Sequence, residues 1–241
     1  MITYAMRSMP GDRPYNEDYI RMREENGTAV FVLADGLGGC GHGELASQTA
    51  VESVISRFSW DHDRNGFFEK VVEGAQNAVL AKQEAVPEAA KMSTTLVVLK
   101  LENGYAQWAH IGDSRMYHFR NEKVKSQTLD HSVPQMLVRM GEIKPDEIRH
   151  HPDRNRLLHT IGRKWEQKHY VVSEPVPVKP GDAFLLCSDG FWEYIEEKIM
   201  CRELKRAENT TEWLDAMMKI VEKNGKDSDM DNYTAICVGV E

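Results

Sequence analysis

The sequence predicts an α+β protein in which helices cover the outer faces of packed antiparallel sheets. Three observations carry this. Period-two segments joined by tight turns fill residues 95–128, helical stretches come in pairs before and after them (44–58 with 67–85, then 192–206 with 211–223), and apolar strand-like runs stand at 29–34, 183–187 and 233–240. With 241 residues, 41% of them hydrophobic, and no low-complexity linker, a single domain over 1–241 is expected.

In chain order, a first strand pair flanks the Asn16-Glu17-Asp18 turn and runs to Leu33-Ala34. The glycine-rich turn Gly36-Leu37-Gly38-Gly39-Cys40-Gly41-His42-Gly43 follows, where missing Cβ atoms let backbone approach a ligand closely. From Glu44, Leu45, Ala46, Ala50, Val51, Val54, Ile55 and Phe58 recur at helix spacing. Phe67, Val71, Ala75, Ala78 and Val79 line one face of a second helix over Phe67 to Ala85.

After Met92 the period becomes two. The strand from Thr95 to Leu101 ends at Glu102-Asn103-Gly104, an Asn-Gly hairpin signal. Segments 105–111, 115–120 and 124–128 continue it, with Asn121-Glu122-Lys123 as a tight turn, so the stretch reads as one antiparallel meander. Residues 131–164 are polar, rich in His and Arg, and helical only at 133–140; they read as an insertion that carries function on a rigid scaffold. Strands return at 169–172 and 183–187, helices at 192–206 and 211–223, and a last strand at 233–240. Trp192 and Trp213 are expected as core anchors.

Five acidic motifs punctuate this scaffold: Asn16-Glu17-Asp18, Asp35-Gly36, Gly112-Asp113-Ser114-Arg115, Ser188-Asp189-Gly190 and Asp231-Asn232. Most adjoin an apolar run. Carboxylates at strand ends that converge on one spot repel one another unless a counter-charge is present, and hard divalent cations with oxygen ligands supply it. A metal-assisted hydrolase is therefore the leading reading of the residues themselves. A lone aspartate at a strand end is ordinarily a turn or cap residue; it is the joint occurrence that points to a site. Asp227-x-Asp229-x-Asp231 opens like a calcium loop, but its sixth position is Asn232 and its twelfth is Val238, so Asp227 and Asp229 are expected as solvated loop charges.

A net charge of −8, a pI near 5.6 and the lack of a basic stripe oppose a nucleic-acid partner and a metal-dependent nuclease. No apolar stretch approaches the ~18 residues of a membrane span, and the N-terminus carries no secretory pattern. Cys40, Cys187, Cys201 and Cys237 show no metal or disulfide spacing, and Cys187 and Cys237 are expected to be buried and reduced. The cytoplasm is the expected compartment.

Arg13-Pro14-Tyr15-Asn16-Glu17-Asp18, Ala34-Asp35-Gly36-Leu37-Gly38-Gly39, Gly43-Glu44-Leu45-Ala46-Ser47, Ser93-Thr94-Thr95, Gly112-Asp113-Ser114-Arg115, Ser188-Asp189-Gly190 and Asp231-Asn232-Tyr233-Thr234 resemble, in order, the signature of type 2C metal-dependent serine/threonine protein phosphatases. Leu129-Asp130-His131-Ser132 and Gly141-Glu142-Ile143 are similar to the flap of the bacterial branch. The resemblance covers nearly the whole chain. It implies a four-layer α-β-β-α sandwich, with two central antiparallel sheets flanked by helix pairs, a small flap subdomain at about 131–164, and two Mn²⁺ or Mg²⁺ ions at one edge.

Carried over residue by residue, the resemblance has Asp35 bridge both ions, Glu17 and the Gly36 carbonyl hold one, and Asp189 and Asp231 the other. Asp18 would orient the attacking water from behind the ligands, Arg13 would grip the substrate phosphate, and Asp113 would help hold a third, looser ion. Phosphoserine or phosphothreonine in proteins would be hydrolysed by a metal-activated water, in line and without a phosphoenzyme. A planar guanidinium suits the phosphate contact better than an ammonium would.

Leu37 stands where relatives often carry histidine or methionine, so it supplies no proton, and His42 is a weak alternative donor. Arg13 has an alternative role as an ion-pair partner of Glu17 or Asp18, and Arg115 reads as a fold element. Ser47 and Thr95 are expected to make local hydrogen bonds. His131, His150, His151 and His159 are expected on a solvated or substrate-facing flap rather than around zinc.

The competing reading is a catalytically silent phosphoprotein-binding module of the same fold; retention of every carboxylate opposes it. A monomer is expected, opposing a separate Ser/Thr kinase. The segments Phe191-Trp192-Glu193-Tyr194-Ile195 and Asp231-Asn232-Tyr233-Thr234 resemble phosphatases of type VI secretion loci, which implies a forkhead-associated-domain protein as partner.

Overall fold

The computed structural model describes residues 1–60 and 66–241, the side chains of Cys40, Ser59 and Trp60 excepted. In chain order it contains β1 (Ile2–Met9), β2 (Asp18–Glu25), β3 (Thr28–Asp35), α1 (Gly43–Trp60), α2 (Phe67–Ala85), β4 (Leu96–Glu102), β5 (Tyr105–Ile111), β6 (Arg115–Arg120), β7 (Lys123–Gln127) and α3 (Val133–Met140). Then come β8 (Val171–Val172), β9 (Val176–Pro177), β10 (Ala183–Cys187), α4 (Asp189–Trp192), α5 (Glu197–Arg206), α6 (Thr210–Gly225) and β11 (Tyr233–Val240). One sheet has the order β1-β11-β10-β6-β7; the other is β2-β3-β4-β5-β8, with β9 also beside β5.

Three apolar cores separate four layers. Ala29, Phe31, Leu33, Leu99, Phe184, Leu186 and Ile236 interlock between the sheets. Val51, Val54 and Phe58 of α1 and Val71, Val72 and Val79 of α2 close over the outer face of the second sheet. Met200 of α5 and Trp213, Met217 and Val221 of α6 close over the first. Alternation along each strand sends successive side chains to the inner and outer core, which is why β3 and β4 are apolar almost throughout. The expected sandwich is the observed one, and its helix pairs are α1–α2 and α5–α6. Trp192 and Trp213 are both buried, as are Cys187 and Cys237.

Three local expectations are corrected. The strands flanking the Asn16-Glu17-Asp18 turn do not pair with each other: β1 pairs with β11 and β2 with β3, so this turn passes between sheets. The stretch 95–128 is not one meander. Asn103-Gly104 and Asn121-Glu122 make tight hairpins with positive φ, but β5 and β6 belong to different sheets. The crossover is at Gly112, whose φ of 102° is open to glycine and whose Cβ would stand 2.6 Å from Thr95 Cγ2. The helix expected at 192–206 is two, because the acidic Glu196-Glu197 pair suits a helix start rather than a helix middle.

Candidate metal centre

The acidic motifs meet where strand ends of both sheets face one another. Asp18 opens β2 directly opposite Asp35, the last residue of β3. Asp189 follows β10, Asp231 lies two residues before β11, and Asp113 sits in the β5–β6 crossover. Burial pushes the Asp18 carboxyl up to about 7, helped by the charges of Asp189 and Asp231. Burial, then Asp231, takes Asp189 up to about 6. Asp35 and Asp113 are pushed well above the carboxylate range, by burial first and by neighbouring aspartates second. Glu17 is raised by burial and by Glu44.

Hydroxyls and amides fix these acids from far along the chain. Ser188 Oγ donates to Asp18 Oδ2 at 2.8 Å and accepts from the Thr234 amide at 3.0 Å, tying β2 to the ends of β10 and β11. Thr95 Oγ1 accepts from the Asp35 amide at 3.0 Å, and Thr94 Oγ1 donates to the Asp35 carbonyl at 2.7 Å. Ser47 Oγ donates to the Glu17 carbonyl. Ser47 thus bonds locally, to the Glu44 carbonyl at 3.2 Å, and also across 30 residues, while Thr95 acts across 60, a role no short motif discloses. Asn232 Oδ1 accepts from the Glu17 amide at 2.7 Å, while its Nδ2 donates to the Pro10 and Tyr15 carbonyls. This side chain holds the loop that bears Arg13. A Cβ on Gly38 would collide with Glu17 Oε2, so the glycine-rich turn leaves room for that carboxylate.

Arg13 pairs with neither Glu17 nor Asp18. Its Nε and Nη2 lie 3.2 and 3.3 Å from the two Asp231 oxygens, and Nη1 is 3.5 Å from Asp229. Arg115 is buried, in a bidentate pair with Asp130 at 2.8 and 2.9 Å and 3.5 Å above the Trp192 ring. It is a fold element. His42 Nδ1 stands 3.4 Å from Glu44, and the Cys40 side chain lies outside the described residues.

His131 is not solvated. It is buried, its ring stacks on His110 at 4.9 Å, and its Nδ1 accepts from the Gly112 amide at 3.2 Å. His159 meets His131 edge-on and stacks on His169. Sequence spacing could not reveal this, since His110 and His169 lie outside the segment where the histidines cluster. Glu193 was also not foreseen: one helical turn after Asp189, it is raised to about 7 by burial and by Asp189.

Among the described residues no three His, Cys, Asp or Glu side chains already form a closed cation cage. The donor set still fits hard cations: it is all oxygen, it carries more negative charge than Arg13 offsets, and Asp18 Oδ1 is buried without a hydrogen-bond partner.

This fold is that of a metal-dependent protein phosphatase, and comparison with known proteins agrees. The model of the protein phosphatase 2C family matches residues 11–233, and the chain belongs to that family; it is a serine/threonine protein phosphatase. The serine/threonine phosphatase Stp of Listeria monocytogenes is 29% identical over 235 residues, covering 94% of this chain and 90% of its own length. The catalytic domain of the phosphatase PstP, solved in complex with two manganese ions, superposes with a TM-score of 0.83 at 26% identity, over 99% of this chain and 97% of its own. PppA of Pseudomonas aeruginosa, described as a key regulatory component of T6SS, gives a TM-score of 0.82 at 26% identity over 99% and 97%.

Proposed function

We propose that the cleft works with two divalent cations, Mn²⁺ or Mg²⁺, and that the chain is one phosphatase domain with a flap at about 131–164. In this reading Asp35 would be shared by the pair, Glu17 and the Gly36 carbonyl would hold one cation, and Asp189 and Asp231 would hold the other. Asp113 contributes to a looser third position. The cations, when bound, supply a water made acidic enough to attack at neutral pH and Lewis-acid stabilisation of the phosphate oxygens. The free Oδ1 of Asp18 orients that water. Arg13 exchanges its Asp231 contact for two oxygens of the substrate phosphate, for which its fork geometry is suited. The bond from the water oxygen to phosphorus forms as the ester P–O bond breaks; the attacking water gives up one proton and the leaving serine or threonine oxygen takes one up from water, Leu37 having none to give.

The observation that carries this reading is the convergence of carboxylates at strand ends of both sheets: Asp18 stands opposite Asp35, the charges of Asp189 and Asp231 reach Asp18 and raise its proton affinity, and Arg13 is paired to Asp231. The test is Mn²⁺-dependent turnover of p-nitrophenyl phosphate and a phosphothreonine peptide, abolished by EDTA. Full activity after chelation would end the proposal.

The likeness to PppA supports a link to a type VI secretion locus; within that reading we propose as substrate a forkhead-associated-domain protein phosphorylated by a separate threonine kinase. Phosphoproteomics with and without this protein tests that link. No helix among the described residues is long and apolar enough to cross a membrane.

A further inference from the structure

Beside the carboxylate cleft, a groove of about 830 Å³ runs between the segment that follows α3 and helices α4, α5 and α6. Four basic side chains line it, Arg149, Arg154, Arg202 and Lys223, against two carboxylates, Glu193 and Glu196. Three of these cations have a carboxylate partner, Arg149 in Glu197, Arg154 in Glu193 and Arg202 in Glu203, but Arg202 keeps 46% of its side chain exposed, so its pair is a weak surface one. Arg149 gives Nη2 to Glu197 at 3.1 Å, but its Nη1 is buried with no hydrogen-bond partner. Lys223 is exposed and has no ion-pair partner among the described residues. Glu196 is already engaged by Lys198 at 2.7 Å.

The groove is electrically continuous with the catalytic end. Arg154 binds Glu193 at 2.7 Å, the Glu193 amide bonds the Asp189 carbonyl at 2.9 Å, and Asp189 feels the Arg154 charge. Its floor includes Tyr194 and Ile199, so it offers apolar contact as well as charge.

We propose that this groove receives an acidic segment of the phosphoprotein substrate that flanks the phosphorylated residue, so that the enzyme prefers phosphothreonine in acidic sequence. The inference rests on the phosphatase reading. The phosphate enters the carboxylate cleft while neighbouring Asp or Glu side chains meet the exposed Arg202 and Lys223, with Arg149 behind them as a buried positive charge. A long polyanion such as nucleic acid is disfavoured by the surrounding negative surface; a short acidic stretch confined to the groove is not.

Two phosphothreonine peptides of equal length, one with acidic and one with neutral flanks, test this with wild type, Arg202→Glu and Lys223→Glu. Wild type is expected to show a higher kcat/KM for the acidic peptide. Each reversal should lower the acidic-to-neutral ratio about three- to tenfold, with p-nitrophenyl phosphate turnover as internal reference. Raising salt to about 0.5 M should erase the preference. Fluorescence anisotropy of the same two peptides without phosphate reads the groove independently of turnover, so loss of catalysis is separable from loss of docking. Equal kcat/KM and equal binding of the two peptides by wild type, or a ratio unmoved by both reversals, would overturn the inference.

Discussion

Arg13 and Asp231, 218 residues apart, form a two-pronged pair with Nε–Oδ1 at 3.2 Å and Nη2–Oδ2 at 3.3 Å. In the proposed mechanism, the guanidinium that grips the phosphate is here held by the carboxylate that would hold a metal. Each then acts as a stand-in for the other's ligand, and cation and substrate must separate them. Arg13→Ala is expected to lower kcat/KM for a phosphothreonine peptide roughly 10- to 100-fold, while the Mn²⁺ concentration for half-activation stays equal or falls. An unchanged kcat/KM would mean that the pair is purely structural.

The crowded acids predict opposite effects on activity and stability. Asp35→Asn or Asp189→Asn should cut turnover by at least about a thousandfold, since a ligand and its charge are lost together. In EDTA the same variants should melt above wild type, because one member of a mutually repelling set is gone. Thermal melts with and without Mn²⁺ read both effects.

The pH dependence has a definite sign. In the metal-free chain Asp18 and Asp189 protonate near 7 and 6, above the ~3.9 of an unfolded aspartate. The folded chain therefore holds more protons than the unfolded one, and this contribution is full below about pH 4 and lost as pH rises through 6 to 7. At about 4 kcal/mol for the two groups, the melting temperature in EDTA should fall by roughly 8–16 °C between pH 5 and pH 8. Saturating Mn²⁺ should flatten that slope. A flat EDTA profile would show that the acids are not under charge stress.

Gly38 offers a steric test. Gly38→Ala puts a methyl group where Glu17 Oε2 lies and should weaken Mn²⁺ binding about tenfold or more, with little change in melting of the metal-free protein. Isothermal titration would show it.

Arg115 offers a test of the scaffold. Removing it leaves Asp130 buried and unpaired, at a cost of about 3–5 kcal/mol, so Arg115→Met should melt roughly 6–20 °C lower. Adding Asp130→Leu should recover part of the loss, because no orphaned charge remains.

Much of this was legible in the chain because it is local. Asp35 and Asp189 each end a run of apolar residues, and the boundaries of α2, α3, β5, β6, β10 and β11 follow from periodicity and turn chemistry. What was not legible depends on which sheet a strand joins. A tight turn at Asn103-Gly104 and a crossover at Gly112 both read as glycine between period-two segments, and only packing separates them. The long-range contacts of Ser47, Thr95 and Asn232 were hidden for the same reason, as was the burial of His131 against His110.

The pairing of β1 with β11 along its whole length carries a consequence for synthesis. On the ribosome, β1 emerges first and must wait for its partner while more than two hundred residues are added. Asp231 arrives only with that partner, so no shortened chain that stops before β11 can hold the full ligand set or close its first sheet. Such contacts of high sequence separation fold slowly. The unpaired edge of a waiting β1 invites aggregation, which makes the last strand the point at which a nascent chain becomes both stable and competent.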